Sequence, residues 1–246
     1  MILGVIPARY CSTRLPGKPL RMLGEKSLIQ RVYENASKVR QIDRLVVATD
    51  DERIRDHVDS FGGEAVMTDN DLKSGSDRCA AVAESIPCDI VVNIQGDEPF
   101  LDAGVVDDCI SALRKNPELS VSTAARRGIL AAELADPNVV KVIVNHCSEA
   151  IYFSRYGIPY RRQADIPIDA LPTLVHQGLY VYRRDFLLTF RDLPISPLER
   201  AEQLEQLRII ENGYKVHVVE TAQDGLGIDT PEDLEKAERI LNEREK

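Results

Sequence analysis

Three short apolar runs constrain this chain more than anything else in it: "ILGVI" (2–6), "RLVVAT" (44–49) and "DIVVNIQ" (89–95). Each is apolar almost throughout, as a strand must be when both of its faces are covered. Amphipathic segments with helix signals lie between them. One begins at Ser27, where Ser27 and Gln30 stand at capping-box spacing. The next runs from Asp51 to Ser60 and stops at Gly62-Gly63, and a third runs from Asp77 to about Ser85. Strands too far apart for hairpins, alternating with helices, predict crossover units and a mostly parallel sheet with helices on both faces, an α/β fold of Rossmann-like type.

The second half reads differently. "NVVKVIVN" (138–145), "AIYFSR" (150–155) and "HQGLYVYR" (176–183) are strand patterns with short connections, which predicts a smaller antiparallel layer. Pro197 to Asn212 reads as one helix, with Ala201, Leu204, Leu207 and Ile210 on a face and Gly213 placed to end it. "KVHVVE" (215–220) returns to strand. Thr230, Pro231 and Asp233 mark the start of a last helix. With no linker, repeat or low-complexity segment, the expectation is a single compact α/β domain over 1–246, in two halves of different texture, 1–118 and 119–246.

The chain carries a formal net charge of −9, yet its opening loop "PARYCSTRLPGKPL" (7–20) holds Arg9, Arg14 and Lys18, and the first acidic residue is Glu25. The acidic balance argues against nucleic acid, while a local basic cluster still suits a small anion. No apolar run approaches the ~20 residues that span a bilayer. The N-terminus enters a strand pattern at once, and the five cysteines are scattered without metal or disulfide spacing. The expectation is a soluble cytoplasmic protein.

The basic loop follows the first strand, where open α/β sheets place their ligands. It lacks the Walker A spacing: Pro19 follows Gly17-Lys18. Arg forks and a mobile Lys charge nonetheless suit a triphosphate, the alternative being a solvated loop paired with surface acids. In "NIQGDEP" (93–99), Asn93, Gln95 and Asp97 alternate on a strand that otherwise reads as core, and Gly96 permits a tight turn beside Asp97. Asp229, in "GLGIDTPED", likewise precedes a helix start. Two carboxylates beside a triphosphate suit Mg²⁺; each alone is also an ordinary turn or cap residue. Ser74, Gly75 and Arg78 of "MTDNDLKSGSDR" (67–78) can approach a base or ribose, or form a plain connection with Asp77 opening a helix. Arg155, His176, Tyr180, Glu205 and Gln206 are polar residues in apolar surroundings, each compatible with a satisfied core or surface group.

Taken in order, "IPARYCSTRLPGKPL", "VVATDD", "SGSDR", "VNIQGDEP", "DPNVVKV", "AIYFSR", "HQGLYVYR", "SPLERAEQLEQLR" and "GIDTPEDLE" resemble the 3-deoxy-manno-octulosonate cytidylyltransferases over nearly the whole chain. Ser76, Tyr160 and Val181 depart from that family's commoner Thr, Trp and Gly. The resemblance implies a nucleotide-diphospho-sugar transferase fold, with 1–118 mainly the nucleotide-binding half and 119–246, which holds the antiparallel layer, mainly the sugar-binding and dimerisation half. It implies Mg²⁺-dependent transfer of CMP from CTP to 3-deoxy-manno-octulosonate (KDO), releasing pyrophosphate, in lipopolysaccharide synthesis. Homodimers are usual in the family. Residue by residue, it places Arg9, Arg14 and Lys18 on the triphosphate loop, and Ser74, Arg78 and Gln95 in the cytidine pocket. Asp97 and Asp229 fall on the metal, and Arg155, His176, Tyr180, Glu205 and Gln206 on the sugar side. A cytidylyltransferase for 8-amino-KDO or a sialic acid, and a non-catalytic sugar-nucleotide sensor, are the rival readings.

Overall fold

The computed structural model describes residues 1–11, 15–162 and 166–244. They fall into two compact units: Met1–Asp107 with Gly225–Lys246, and Asp108–Asp224.

The first unit is a parallel sheet wound with helices. Strand β1 (Ile2–Ala8) is followed by a 3₁₀ turn over Lys18–Leu20, a small hairpin β2 (Met22–Leu23) and β3 (Lys26–Ser27), and helix α1 (Leu28–Ala36). Then come β4 (Arg44–Thr49), α2 (Glu52–Ser60), β5 (Ala65–Met67), α3 (Gly75–Ser85), β6 (Ile90–Asn93) and α4 (Ala103–Lys115), inside which the first unit gives way to the second. β1 pairs in parallel with both β4 and β6, and β4 with β5. The three apolar runs are thus neighbours in the sheet, and the central one has every residue but Pro7 buried. α1 and α3 pack on β1, and α2 packs on β4 and β5.

The caps follow the sequence with two adjustments. Ser27 Oγ accepts from the Gln30 amide at 3.2 Å, but the Gln30 side chain donates to Glu34 instead of reaching back, so only half of the box forms. α3 begins two residues before Asp77. Ser74 is its N-cap, accepting from the Asp77 amide while the Asp77 carboxylate accepts from the Ser74 amide. The reciprocal bonds satisfy two otherwise orphaned donors, which extends the helix to Gly75.

In the second unit β7 (Val121–Arg126) is the middle strand. It is followed by a short helix α5 (Ala131–Ala135), β8 (Lys141–Val144), β9 (Ala150–Ser154), β10 (Leu174–Arg183), α6 (Arg184–Asp192), α7 (Pro197–Glu202), α8 (Gln206–Glu211) and β11 (Val216–Thr221). β7 pairs antiparallel with β10 and parallel with β11, while β8 pairs antiparallel with both β9 and β10. The antiparallel layer is present.

The single helix expected over 197–212 is not: it breaks at Gln203, whose backbone sits in the left-handed region at φ 54°. The break has a visible cause. Arg155 donates through Nε to the Glu202 carbonyl at 2.7 Å and through Nη2 to the Gln203 carbonyl at 3.3 Å. Those oxygens would otherwise accept from amides one turn on, so the helix restarts with Leu207 bonded to Leu204 and Arg208 to Glu205. Leu204, Leu207 and Ile209 are buried as a result, whereas Ala201 is exposed and Ile210 only partly buried. Gly213, at φ 80°, ends α8 as expected.

Helix α9 (Pro231–Arg244) belongs again to the first unit. Thr230 and Asp233 form its reciprocal cap. Ala237 and Leu241 share a small core with Leu15, Leu23, Leu28 and Ile228. That core ties the last helix to the turn and hairpin that follow the basic loop.

Candidate functional site

A cavity of about 480 Å³ opens in the first unit, lined at its edge by the carboxyl end of β1 (Pro7, Ala8, Arg9). The start of α3 supplies Ser74, Gly75 and Arg78, the turn after β6 supplies Gln95, Gly96 and Asp97, and Lys18, Pro19 and Asp229 complete it with Cys11. This is the position the topology predicts, beyond the carboxyl ends of parallel strands. The eleven-residue helix α3 points its N-terminus at the cavity, a favourable end for an anion.

Two glycines make the geometry possible. A Cβ on Gly96 would lie 2.7 Å from the Pro7 carbonyl oxygen, so only glycine lets the turn after β6 press against the end of β1. Gly17 holds φ 66° and donates its amide to the Tyr10 carbonyl at 3.1 Å, which closes the basic loop just before Lys18.

Lys18 is the electrostatic centre. Its Nζ donates to Asp97 Oδ2 at 2.6 Å and to Asp229 Oδ1 at 2.9 Å, and its side chain is 16% exposed. The two carboxylates, far apart in sequence, therefore meet on one ammonium. Their segments are also joined through the main chain, since the Ile228 amide donates to the Asp97 carbonyl at 3.0 Å. Burial pushes the Lys18 pKa down, but the charge of Asp97 and the hydrogen bonds to both carboxylates push it further up, and it ends above its ordinary value. Lys18 is cationic at any pH at which the fold would be used.

The other residues singled out on this side occupy distinct places. Arg9 is exposed at the rim, with Nη1 3.5 Å from the Lys73 carbonyl. Gln95 Nε2 is 3.4 Å from Asn93 Oδ1, and Asn93, which is buried, is 3.4 Å from Ser76 Oγ. Arg78 is 1% exposed and is held by Asp50 and the Thr68 hydroxyl. Arg14 lies outside the described residues. Asp50 and Thr68 were not singled out by sequence reading. The signal for Asp50 was there, since it directly follows the apolar run of β4, at a carboxyl end like Asp97.

The remaining candidates lie in the second unit. Arg155 spends its guanidinium on the backbone carbonyls of Pro137, Glu202 and Gln203. His176 is partly buried, 3.0 Å from Thr123 Oγ1, with its ring edge-on to Phe153. Burial pushes its pKa down to about 3, so it is a neutral ring. A bulge in β10 between Gln177 and Tyr180 leaves the rings of His176 and Tyr180 5.4 Å apart. The Tyr180 hydroxyl is buried without a hydrogen-bond partner among the described residues. Glu205 precedes α8, and Gln206 begins it as a buried residue.

Two carboxylate oxygens meeting at a cavity are hard donors of the kind Mg²⁺ takes one or two at a time, completing its shell with phosphate oxygens and water. Among the described residues no cluster of three or more His, Cys, Asp or Glu side chains is placed to hold a metal. Asp97 and Asp229 therefore fit Mg²⁺ arriving with a phosphate-bearing ligand. No helix among the described residues is long and apolar enough to cross a membrane.

Residues 3–221 match the sequence model of a family described as "Cytidylyltransferase". The 3-deoxy-manno-octulosonate cytidylyltransferase of Solibacter usitatus is 49% identical over 240 residues, 98% of this chain and 94% of that protein. The solved structure of CMP:2-keto-3-deoxy-manno-octonic acid synthetase complexed with CTP superposes with a TM-score of 0.93 at 44% identity, covering 99% of both chains. A 4-diphosphocytidyl-2C-methyl-D-erythritol synthase from Anaerococcus prevotii shares the fold at a TM-score of 0.63 and 16% identity, covering 98% of this chain and 96% of that one.

Proposed function

This chain belongs to the 3-deoxy-manno-octulosonate cytidylyltransferase family, and from that premise we propose that it transfers CMP from CTP to KDO, releasing pyrophosphate. The observation that carries the reading is the cavity of the first unit. It gathers Arg9, Lys18, Asp97 and Asp229 at one end of a parallel sheet, with Ser74, Arg78 and Gln95 beside them.

The anomeric hydroxyl of the sugar attacks the α-phosphorus, and pyrophosphate leaves in line. A transfer of this kind needs positioning and charge stabilisation more than a covalent intermediate. Lys18 and Arg9 hold the triphosphate and offset the charge that develops on the α-phosphoryl and leaving oxygens, a role in which Arg14 joins them. Asp97 and Asp229 would hold Mg²⁺, which when bound neutralises phosphate charge and lowers the pKa of a coordinated hydroxyl. Ser74, Arg78 and Gln95 receive the cytidine. On the sugar side, the orphaned Tyr180 hydroxyl is a buried polar group that a sugar hydroxyl can satisfy. Glu205 and Gln206 contribute polar groups beside the break in the helix. Arg155 and His176 act there by fixing the backbone and the packing, because the Arg155 guanidinium and His176 Nε2 are already bonded within the unit. A homodimer supplying CMP-KDO for lipopolysaccharide completes the proposal.

Pyrophosphate release from CTP, with Mg²⁺ and with or without KDO, tests it directly. Release that depends on all three supports the assignment. Release with a different acidic sugar but not with KDO reassigns the substrate, and no release with any acidic sugar removes the catalytic reading.

A further inference from the structure

Arg78 is almost fully buried, at 1% exposure, yet it lines the cavity. A guanidinium so far from water is costly unless its charge is met and its donors are bonded. Its Nη2 donates to Asp50 Oδ2 at 3.0 Å, and its Nη1 donates to the Thr68 hydroxyl. Asp50 is itself only 17% exposed.

The Thr68 contact is directional. Thr68 donates its amide to the Thr49 carbonyl at 2.8 Å and its hydroxyl to the same oxygen at 3.2 Å. A hydroxyl has one hydrogen, so once that is committed the Thr68 oxygen can only accept from Arg78. Asp50 and Thr68 directly follow the neighbouring strands β4 and β5. Two strand ends, not the helix that carries it, therefore set the plane of the Arg78 guanidinium. The bonds use two of its five N–H groups and leave three on a side chain that faces the cavity.

We infer that Asp50 is a specificity-determining residue acting through Arg78: it fixes a pair of donors that accept cytosine and reject uracil. The inference rests on the CTP reading proposed above and names the base-selective element within it. Cytosine presents two adjacent acceptors, O2 and N3, whereas in uracil N3 carries a hydrogen. Fixed donors meet both acceptors of the first base and only one of the second, leaving an N–H of Arg78 unpaired against an N–H of the ligand. A site that hydrogen-bonds its substrate discriminates strongly against an analogue that leaves its groups unpaired. A guanidinium free to tilt would lose that discrimination. Asp50 is thus a positioning residue; the contact with the base belongs to Arg78.

The test compares CTP with UTP, both as kcat/KM in the transfer to KDO and as binding by calorimetry. Asp50→Asn removes the charge and keeps the shape. It should lower the CTP:UTP preference at least tenfold, mostly through a higher KM for CTP, with kcat at saturating CTP within about threefold of the unsubstituted protein. Thr68→Val introduces no charge change and should move the ratio in the same direction by a smaller factor, which keeps the inference testable where Asp50→Asn fails to fold. An unchanged CTP:UTP ratio in a folded Asp50→Asn or Thr68→Val protein, or equal losses for both nucleotides, overturns it. If the unsubstituted protein makes no product from CTP and KDO, the functional reading fails by itself, and the calorimetric ratio still decides the role of Asp50.

Discussion

In the first unit Arg9, Lys18, Ser74, Arg78, Gln95, Asp97 and Asp229 end on one open cavity, whereas in the second His176 and Arg155 are bonded into the unit's own packing. Lys18 is paired with two carboxylates that reach it from distant parts of the chain. Arg155 is paired with backbone carbonyls, and His176 with Thr123 and two aromatic rings. The difference lies in what each partner can do. A lysine held by side-chain carboxylates can exchange them for a phosphate, and they can exchange it for a metal, without disturbing the fold. A side chain held by backbone carbonyls cannot let go without unmaking a turn. Substitutions at Arg9, Lys18, Asp97 and Asp229 should therefore cost function far more than stability, and substitutions in the second set should do the reverse.

The sharpest way to break that contrast is the carboxylate pair. Asp97→Asn and Asp229→Asn keep shape and capping ability while removing charge. Each should fold normally and lose turnover by a factor on the order of 10³, the upper end for one transition-state contact. The double variant should be little worse than either, because groups acting as a unit are not additive. Near-normal, magnesium-dependent turnover in Asp229→Asn would reduce that residue to the position before a helix cap.

Lys18→Met comes next, with an expected loss of about 10²-fold in turnover. It carries a second readout. Without the ammonium, two carboxylates converge with nothing between them, so the unliganded variant should melt a few degrees lower, roughly what 1 kcal/mol costs a domain of this size. Mg²⁺ added together with CTP should raise that melting point more than CTP alone does, while turnover stays low. Equal stabilisation by CTP with and without Mg²⁺ would place the metal elsewhere.

The smallest effect belongs to the second unit and concerns stability alone. His176 has a folded-state pKa of about 3 against an ordinary value of 6.5. Between those values the unfolded chain takes up a proton that the folded chain refuses. Stability is therefore lost as pH falls below about 6.5, by about 2 kcal/mol between pH 7 and pH 5. His176→Gln should be less stable at pH 7 yet lack that component of the slope in urea titrations. Equal slopes in the two proteins would mean that the ring is not held neutral.

The sequence already showed much of this architecture where the signal was local. Continuous apolar runs marked β1, β4 and β6, and Ser27, Thr230 and Asp233 marked the helix starts, because strand burial and capping are decided within a few residues. The meeting of Asp97 with Asp229 could be argued from strand ends and family likeness. What stayed hidden was non-local. The break at Gln203 depends on Arg155, 48 residues earlier, and the support of Arg78 depends on Asp50, 28 residues earlier. β7 escaped notice for a different reason. "VSTAAR" has no bulky apolar residue after its first, yet all six residues are buried between two partner strands. Small side chains pack well in a crowded middle strand and leave little pattern to read.

The return of the chain to the first unit after residue 224 also has a consequence in time. Asp97 is synthesised about 130 residues ahead of Asp229, with the whole of the second unit made in between. At roughly 5–20 residues per second, the first carboxylate and its lysine wait on the order of ten seconds for the other half of the pair. A nascent chain on the ribosome can thus complete the parallel sheet of β1, β4, β5 and β6 and still lack one of the two carboxylates that meet on Lys18. A product truncated between residues 97 and 229 would keep the basic loop and the base-side residues without the second carboxylate. If Asp97 and Asp229 hold Mg²⁺ as proposed, magnesium-dependent activity reports that translation has passed residue 229.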